Sequence, residues 1–260
     1  MCSNKLVHSN IVEVDTHRTI QTKVIFFQPT GGKDIAFGSG LSWKYHRKLF
    51  STSLRQYLTD IPMIESRIHE QAERLLTFIG EQDSKPFDPE HILAMCICDV
   101  ICGITFGKYF NSSYPQFQAF LGILDEALEL ELDADMFVLD MFSVAKYLPL
   151  ETYKRNQRIT DRIFGVLRQV LKNREKDYDV SDPVNDFMTA LLKVRHEAEI
   201  ENDKQAKEFL TEDYLLNSIL DMFSAGYETT TTTLKWTILF LVNYPQYQTE
   251  IQDALDKVFI

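Results

Sequence analysis

Apolar residues recur with a helical period from residue 42 to the end of the chain, and almost nowhere with the two-residue alternation of a strand. Ser42 is placed to cap a first helix whose inner face is Trp43, Arg47, Phe50 and Leu54. Ile61, Ile64, Ile68, Ala72, Leu75, Leu76 and Ile79 mark a second, closed by Gly80. Asp88 and Pro89 supply an N-cap and a first helical residue, and Gly107 a stop, for a third. A fourth runs over 115–131, acidic on its outer face. Beyond Pro149 a long amphipathic helix turns Tyr153, Ile159, Ile163, Val166, Leu167, Val170 and Leu171 inward and Arg155, Arg158, Arg162, Arg168 and Lys172 outward. Another helix covers about 183–194. Residues 196–208 carry almost no apolar side chain and read as a mobile charged connector. Thr211 then caps a very long apolar helix reaching Val242, and Pro245 opens a last one with Tyr247, Ile251, Leu255 and Val258 inside. Val24-Ile25-Phe26-Phe27 is a short strand or an aromatic-buried loop, and 136–142 is an apolar patch of no clear period. The pattern predicts a mostly α chain.

Composition narrows the function classes. Of 260 residues, 45% are hydrophobic and 25% charged, a globular balance. Lys+Arg number 27 and Asp+Glu 38, a formal charge of -11, which excludes nucleic acid as the default partner. The 4 cysteines do not make a disulfide framework in so long a chain. Cys96, Cys98 and Cys102 share one apolar segment, as reduced thiols of a cytosol-facing protein do, and Cys2 stands apart. The first residues are polar and lack the apolar core of a secretory signal. The longest apolar run, 92–106, is interrupted by Asp99 and Gly103, so no membrane span is expected.

Candidate chemistry concentrates in the long helix. Between apolar runs at 215–223 and 236–242 lies Ala225-Gly226-Tyr227-Glu228-Thr229-Thr230-Thr231-Thr232-Thr233. Glycine costs about 1 kcal/mol inside a helix, and threonine is a poor helix former whose hydroxyl bonds back to the i−4 carbonyl. Local rules tend to break where function demands it. Ala225 and Gly226 would let a flat ligand approach the backbone, and Glu228-Thr229 sets a proton source beside a relay. Thr232, three residues on, falls on a different face. The stretch is equally readable as a Thr-rich packing helix with Glu228 at the surface. Trp43 and Arg47, at i and i+4, present an indole N–H and a guanidinium on one face. Such donors suit one carboxylate, or are simply an aromatic–arginine packing pair. Lys44, Lys48 and Arg55 make a basic stripe of the kind that is usually a solvated face. Cys96 and Cys98 point roughly 200° apart on a helix, so the thiols do not converge on a metal and read as core. No metal-binding set is assigned, and catalytic triads, phosphate loops, dinucleotide fingerprints and His-Glu-x-x-His are absent.

Taken together, these pieces resemble a known family. Ala225-Gly226-Tyr227-Glu228-Thr229-Thr230 fits Ala/Gly-Gly-x-Asp/Glu-Thr-Thr/Ser in a long apolar helix, followed by Lys235-Trp236 and Asn243-Tyr244-Pro245. It resembles the I helix of the cytochrome P-450 haem-thiolate monooxygenases. Ile35-Ala36-Phe37-Gly38-Ser39-Gly40 and then Trp43-Lys44-Tyr45-His46-Arg47 resemble their C helix with its W-x-x-x-R. Phe87-Asp88-Pro89 and Ile101-Cys102-Gly103-Ile104-Thr105-Phe106-Gly107 are similar to the E helix of a microsomal group. That group includes steroid 17-alpha-hydroxylases and aryl-hydrocarbon-oxidising enzymes. Each motif alone is weak to moderate, and the three in order are strong. The likeness covers roughly 20–260, and residues 1–20 match nothing.

What the resemblance implies is the central helical part of that fold, a partial domain over 1–260 with a long bent I helix. It implies haem, with Trp43 and Arg47 on its propionates and Ala225 and Gly226 over its distal face. Thr229 would hydrogen-bond dioxygen or an adjacent water, and Glu228 would aid proton delivery. Asp221, Ala225 and Thr229 follow at i, i+4 and i+8, so Asp221 would reach the substrate cavity, with 136–142 near its roof. Lys44, Lys48 and Arg55 would face an acidic electron donor, NADPH–cytochrome reductase. The implied reaction inserts one atom of dioxygen into a hydrophobic substrate such as a steroid or aromatic compound, at the cytosolic face of the endoplasmic reticulum membrane. Departures from the pattern are as informative. The sequence has no F-x-x-G-x-x-x-C-x-G segment, no E-x-x-R and no N-terminal anchor, so the axial cysteine of the haem is not in this chain. The chain alone is expected to be inactive, with Phe50, Phe223, Trp236 and Leu239 uncovered. The competing class is an acidic α-helical interaction module without a cofactor. It accounts for the charge and the amphipathic helices, but not for Ala-Gly-x-Glu-Thr at the centre of an apolar helix.

Overall fold

The computed structural model describes residues 33–36, 38–57, 61–83, 85–111, 114–131 and 150–259; the segments 24–27 and 136–142, Cys2 and residues 1–20 lie outside them. Among the described residues every regular element is helical: α1 (Gly40–Tyr57), α2 (Ile61–Glu81), α3 (Glu90–Phe106), α4 (Pro115–Glu131), α5 (Glu151–Asp177), α6 (Phe187–Ile200), α7 (Lys204–Phe209), α8 (Glu212–Asn243) and α9 (Pro245–Phe259). The all-α expectation holds.

Local chemistry explains the boundaries. Asp88 Oδ1 accepts the Glu90 N–H at 2.9 Å and starts α3. Gly107 ends it at φ 60, a left-handed conformation that favours glycine. A Cβ there would also lie 2.6 Å from the Asp186 carboxylate. That carboxylate caps α6, accepting the Thr189 N–H at 2.7 Å and the Thr189 hydroxyl at 2.9 Å. Burial pushes its pKa up, and the bonds from Thr189 and the Arg174 charge oppose the shift. Residues 196–208, expected as a mobile connector, are instead mostly helix. α6 runs on to Ile200, and Asn202 takes φ 54 so that the Asp203 N–H returns to the Ala198 carbonyl at 3.1 Å. Asp203 Oδ1 then caps α7 through the Ala206 N–H at 3.0 Å. Caps and three small contacts, Ala198, Ala206 and Leu210, bury a segment that looked too polar to pack.

The core lies where α3 meets α8. Phe106, Phe110, Phe117, Phe120 and Phe223 are all but fully buried and pack edge-on or tilted, with Tyr227 stacked on Phe223. From α5, Ile159, Ile163, Leu167, Val170 and Leu171 close the cluster, as their spacing predicts. Each such side chain contributes about 1.5–3 kcal/mol of burial.

Three faces differ from the pattern read in sequence. α1 begins at Gly40, before Ser42, and buries His46, Leu49 and Ser53 rather than Trp43 and Arg47. Its partners are α6 and α7, so the ring of Phe50 meets Phe187 while Arg47 faces outward. α2 packs chiefly on α3, and Ile68, Leu76 and Ile79 are exposed. α9 has the expected stripe of Tyr247, Ile251, Leu255 and Val258, yet it faces solvent. Periodicity names an apolar face; it does not supply a partner. Of the side chains expected to be uncovered, Phe223 is buried and Phe50 is packed, whereas Trp236 is 66% and Leu239 50% exposed.

Apolar exposure on this scale drives association. The 260-residue chain by itself is expected to self-associate and to bind a hydrophobic dye in size-exclusion and fluorescence measurements. A dye-free, monodisperse monomer with one sharp thermal transition would instead favour an independent helical module.

Candidate functional site

α8 is unbroken from Glu212 to Asn243 despite a central glycine and the threonine run. Leu215, Leu216, Asn217, Ser218, Ile219 and Leu220 are buried in succession, so this half is enclosed all round. From Ala225 onward one side opens. Phe223, Tyr227 and Thr231 continue the buried line at i, i+4 and i+8. Ala225, Thr229 and Thr233 are exposed on the opposite side. Gly226 belongs to the packed side: a Cβ there would sit 2.9 Å from Ile101 Cδ1 of α3. The small pair expected to receive one ligand therefore serves two surfaces.

The hydroxyls of the open side are ordered into a ladder. Thr229 Oγ1 donates to the Ala225 carbonyl at 2.7 Å, Thr233 to that of Thr229 at 2.7 Å, and Thr237 to that of Thr233 at 2.8 Å. Glu228 turns roughly 100° from Thr229, and its carboxylate accepts the Thr232 hydroxyl at 3.0 Å. The alcohol bound to the acid is thus Thr232, which sequence reasoning had set aside. Its signal was the i, i+4 spacing. Lys235 pairs with Glu90 of α3, and both neighbour Asp125 of α4. Burial raises the Asp125 pKa, with Lys235 opposing and Glu129, Glu90 and Glu228 adding to the rise.

Two further predicted residues meet on one backbone position. Asp221, half-buried, accepts the Ile35 N–H at 2.6 Å. Trp43 Nε1 donates to the Ile35 carbonyl at 2.9 Å. Burial pushes the Asp221 carboxyl up to about 7, the Ile35 N–H opposing and Asp34 adding to the shift. Arg47 is exposed, its guanidinium without an ion-pair partner among the described residues. Trp43 and Arg47 are therefore not joined on a single acceptor here.

His46, not marked as a site residue by the sequence, bridges α1 to α7 and α8. Its Nε2–H donates to the Phe209 carbonyl at 2.7 Å, which leaves Nδ1 to accept from Ser218 Oγ at 3.4 Å. Its ring stacks on Tyr214 at 4.5 Å. Burial lowers its pKa below the ordinary value, opposed by the bond to Phe209. Nothing in the periodicity separates such a histidine from an exposed one.

The Cytochrome P450 family model matches residues 6–259. The chain belongs to the cytochrome P450 family. It is 34% identical over 227 residues to Cytochrome P450 2J3 of Rattus norvegicus, covering 86% of this chain and 44% of that protein. It is 33% identical over 248 residues to the steroid 17-alpha-hydroxylase/17,20 lyase of Gallus gallus, covering 92% of this chain and 46% of that protein. To Cytochrome P450 2J2 of Homo sapiens it is 32% identical over 227 residues, with 86% and 44% covered. The chain spans about half the length of these curated relatives.

P450 proteins bind haem through a cysteine thiolate. The residues described fit one face and one edge of that group. Ala225 and Thr229 leave an open surface on α8, and Arg47 is an exposed cation suited to a propionate. They do not supply the axial ligand. Cys98 and Cys102 are fully buried in α3, and burial raises the pKa of Cys96 and Cys102, so these two thiols stay protonated. Among the described residues no group of three or more His, Cys, Asp or Glu could hold a metal ion.

His46 predicts a pH dependence. Its folded pKa lies below about 6.5, the unfolded value. The unfolded chain thus takes up a proton that the folded one refuses, and stability present above pH 6.5 or so is lost as pH falls through that value. In a version extended to the relatives' length, the thermal midpoint should drop from pH 7.5 to pH 5.5 more in wild type than in His46→Gln. Equal drops would show that His46 titrates freely.

Proposed function

We propose that the protein carrying this chain is a haem monooxygenase that inserts one atom of dioxygen into a hydrophobic substrate, with α8 as its oxygen-activating helix. One observation carries the reading: a buried helix opens on one side at Ala225 and lines that side with the hydroxyls of Thr229 and Thr233. A steroid or aromatic compound is the proposed substrate class, supported by the relative named as a steroid 17-alpha-hydroxylase/17,20 lyase. Lys44, Lys48 and Arg55 are exposed along α1, which supports docking of an acidic electron donor such as NADPH–cytochrome reductase. The proposed location is the cytosolic face of the endoplasmic reticulum membrane. Among the described residues no helix is long and apolar enough to cross a membrane.

When bound, haem supplies the activation of dioxygen. Arg47 would hold a propionate by a charge-assisted hydrogen bond, and Trp43 would join it on exchanging the Ile35 carbonyl for the propionate. Ala225 keeps the approach to α8 low. The Thr229 hydroxyl donates to Ala225 and keeps its oxygen lone pairs for a water on the open side. Glu228, joined to Thr232, is the proton reservoir one step behind. Asp221, engaged by Ile35, borders the cavity rather than reaching freely into it. With no cysteine in the ligand context, the 260-residue chain alone is proposed to be inactive.

Four variants have expected outcomes in a version extended to the relatives' length. Arg47→Ala should lower haem retention, since a charged hydrogen bond is worth about 1.5–3 kcal/mol; equal haem content would remove Arg47 from the site. Thr229→Ala should keep folding and substrate binding but send reducing equivalents to hydrogen peroxide, because proton relays contribute about 10²–10⁴ in rate. Thr232→Ala should uncouple partly through Glu228, and Thr237→Ala, at the far end of the ladder, should leave coupling intact. A Thr229→Ala protein as tightly coupled as wild type would overturn the role of Thr229.

A further inference from the structure

One buried side chain of α1 grips the junction between α7 and α8. α7 ends at Phe209 and α8 begins at Glu212, so the Phe209 carbonyl is one of those that a helix end leaves without an internal partner. The His46 Nε2–H donates to it at 2.7 Å. On the other side of the ring the Ser218 hydroxyl lies 3.4 Å from Nδ1, and Tyr214 stacks on the ring face. Tyr45, the preceding residue, adds a tilted ring contact with Phe209 at 5.7 Å. A single imidazole, 2% exposed, thus ties α1 to three points between residues 209 and 218.

The positions around α1 give this tie a consequence. His46, Leu49 and Ser53 form its buried line, while Lys44, Lys48 and Arg55 lie exposed on the opposite side. At roughly 100° per residue, Arg47 falls on the flank between the two, with Trp43 one turn before it. A flank residue is the one most displaced, in what it faces, when a helix turns about its own axis. At a side-chain radius of about 6 Å, a turn of about 30° carries the guanidinium about 3 Å, beyond what a hydrogen bond tolerates. Apolar burial is non-directional. Leu49, and Phe50 on the Phe187 ring, therefore hold α1 close without fixing its rotation. The bonds of His46 are directional and sit next to Arg47 in the chain.

We propose that His46 is a positioning residue for Arg47: its bonds to Phe209 and Ser218 set the rotation of α1 and so hold the guanidinium at the edge where a haem propionate binds. This rests on the haem reading above and adds to it a side chain that acts through its neighbour. Removing the imidazole leaves the Phe209 carbonyl buried without its donor, and α1 is then free to turn.

The rate of haem loss tests this in a version extended to the relatives' length, measured as haem transfer to excess apomyoglobin at pH 7.5. Arg47→Ala should speed transfer about tenfold, the effect of losing one charge-assisted hydrogen bond. His46→Leu should speed it about fivefold, and His46→Gln, whose amide N–H reaches the same carbonyl, should stay near wild type. The double variant His46→Leu/Arg47→Ala should lose haem no faster than Arg47→Ala, because residues acting through one contact do not add. A general loosening of the fold would instead multiply the two effects to about fiftyfold. That product, or a His46→Leu protein that keeps haem as wild type does while Arg47→Ala loses it, overturns the role of His46 and leaves the haem reading standing. A wild type that takes up no haem overturns both.

Discussion

The seam between α3 and α8 is the constraint on which the other features depend. The centre of α8 is a poor helix by intrinsic propensity, carrying a glycine and five consecutive threonines. It is continuous because Phe223, Tyr227 and Thr231 are buried along one line, where Phe106 of α3 and Phe120 of α4 receive Phe223 and Tyr227 stacks on it. Burial of two aromatic rings, at about 1.5–3 kcal/mol for a side chain of that size, exceeds the local cost of about 1 kcal/mol for Gly226. Gly226 is itself part of the seam, since its missing Cβ makes room for Ile101. Once that line is buried, the rotation of α8 about its axis is set. Ala225, Thr229 and Thr233 then have only the open side to occupy.

Much of this arrangement was legible in the sequence because it is amphipathic and local. The limits of α4, the inward stripe of α5 and the extent of α8 follow from period, and the Asp88 start and Gly107 stop of α3 from cap chemistry, whereas the Thr211 side chain makes no capping bond to α8. What escaped was what depends on partners. α1 is rotated relative to its sequence pattern because Trp43 and Arg47 share the spacing of an inner face, whereas the buried residue that binds α7 and α8 is the polar His46. α7 reads as a loop because its one fully buried side chain is the small Ala206, with Leu210 just beyond it. The stripe on α9 was read correctly as apolar and wrongly as covered.

Within the site, residue types were legible and their pairings were not. Ala225, Glu228 and Thr229 stand out by composition, yet adjacent residues on a helix diverge by roughly 100°. Glu228 and Thr229 consequently make separate bonds, to Thr232 and to the Ala225 carbonyl. Trp43 and Asp221 were assigned to different ligands, one a cofactor and one a substrate. They meet instead on Ile35, a contact that no short-range pattern encodes.

Three acids along α8 show that surroundings assign a carboxyl its work. Asp213, 56% exposed at its side chain, pairs with Lys33, and a pair so wet contributes at most about 1 kcal/mol. Asp221, two turns on, is enclosed against a main-chain N–H and Asp34, and burial raises its affinity for a proton. Glu228, two turns further, keeps a neutral hydroxyl on one oxygen at the border between the packed and open sides. The gradient runs from water at Asp213, through enclosure at Asp221, to the margin of the open surface at Glu228. The same burial that holds α8 continuous spreads an exposed ion pair, an enclosed carboxyl and a hydroxyl-bound carboxyl over sixteen residues, about four turns of helix.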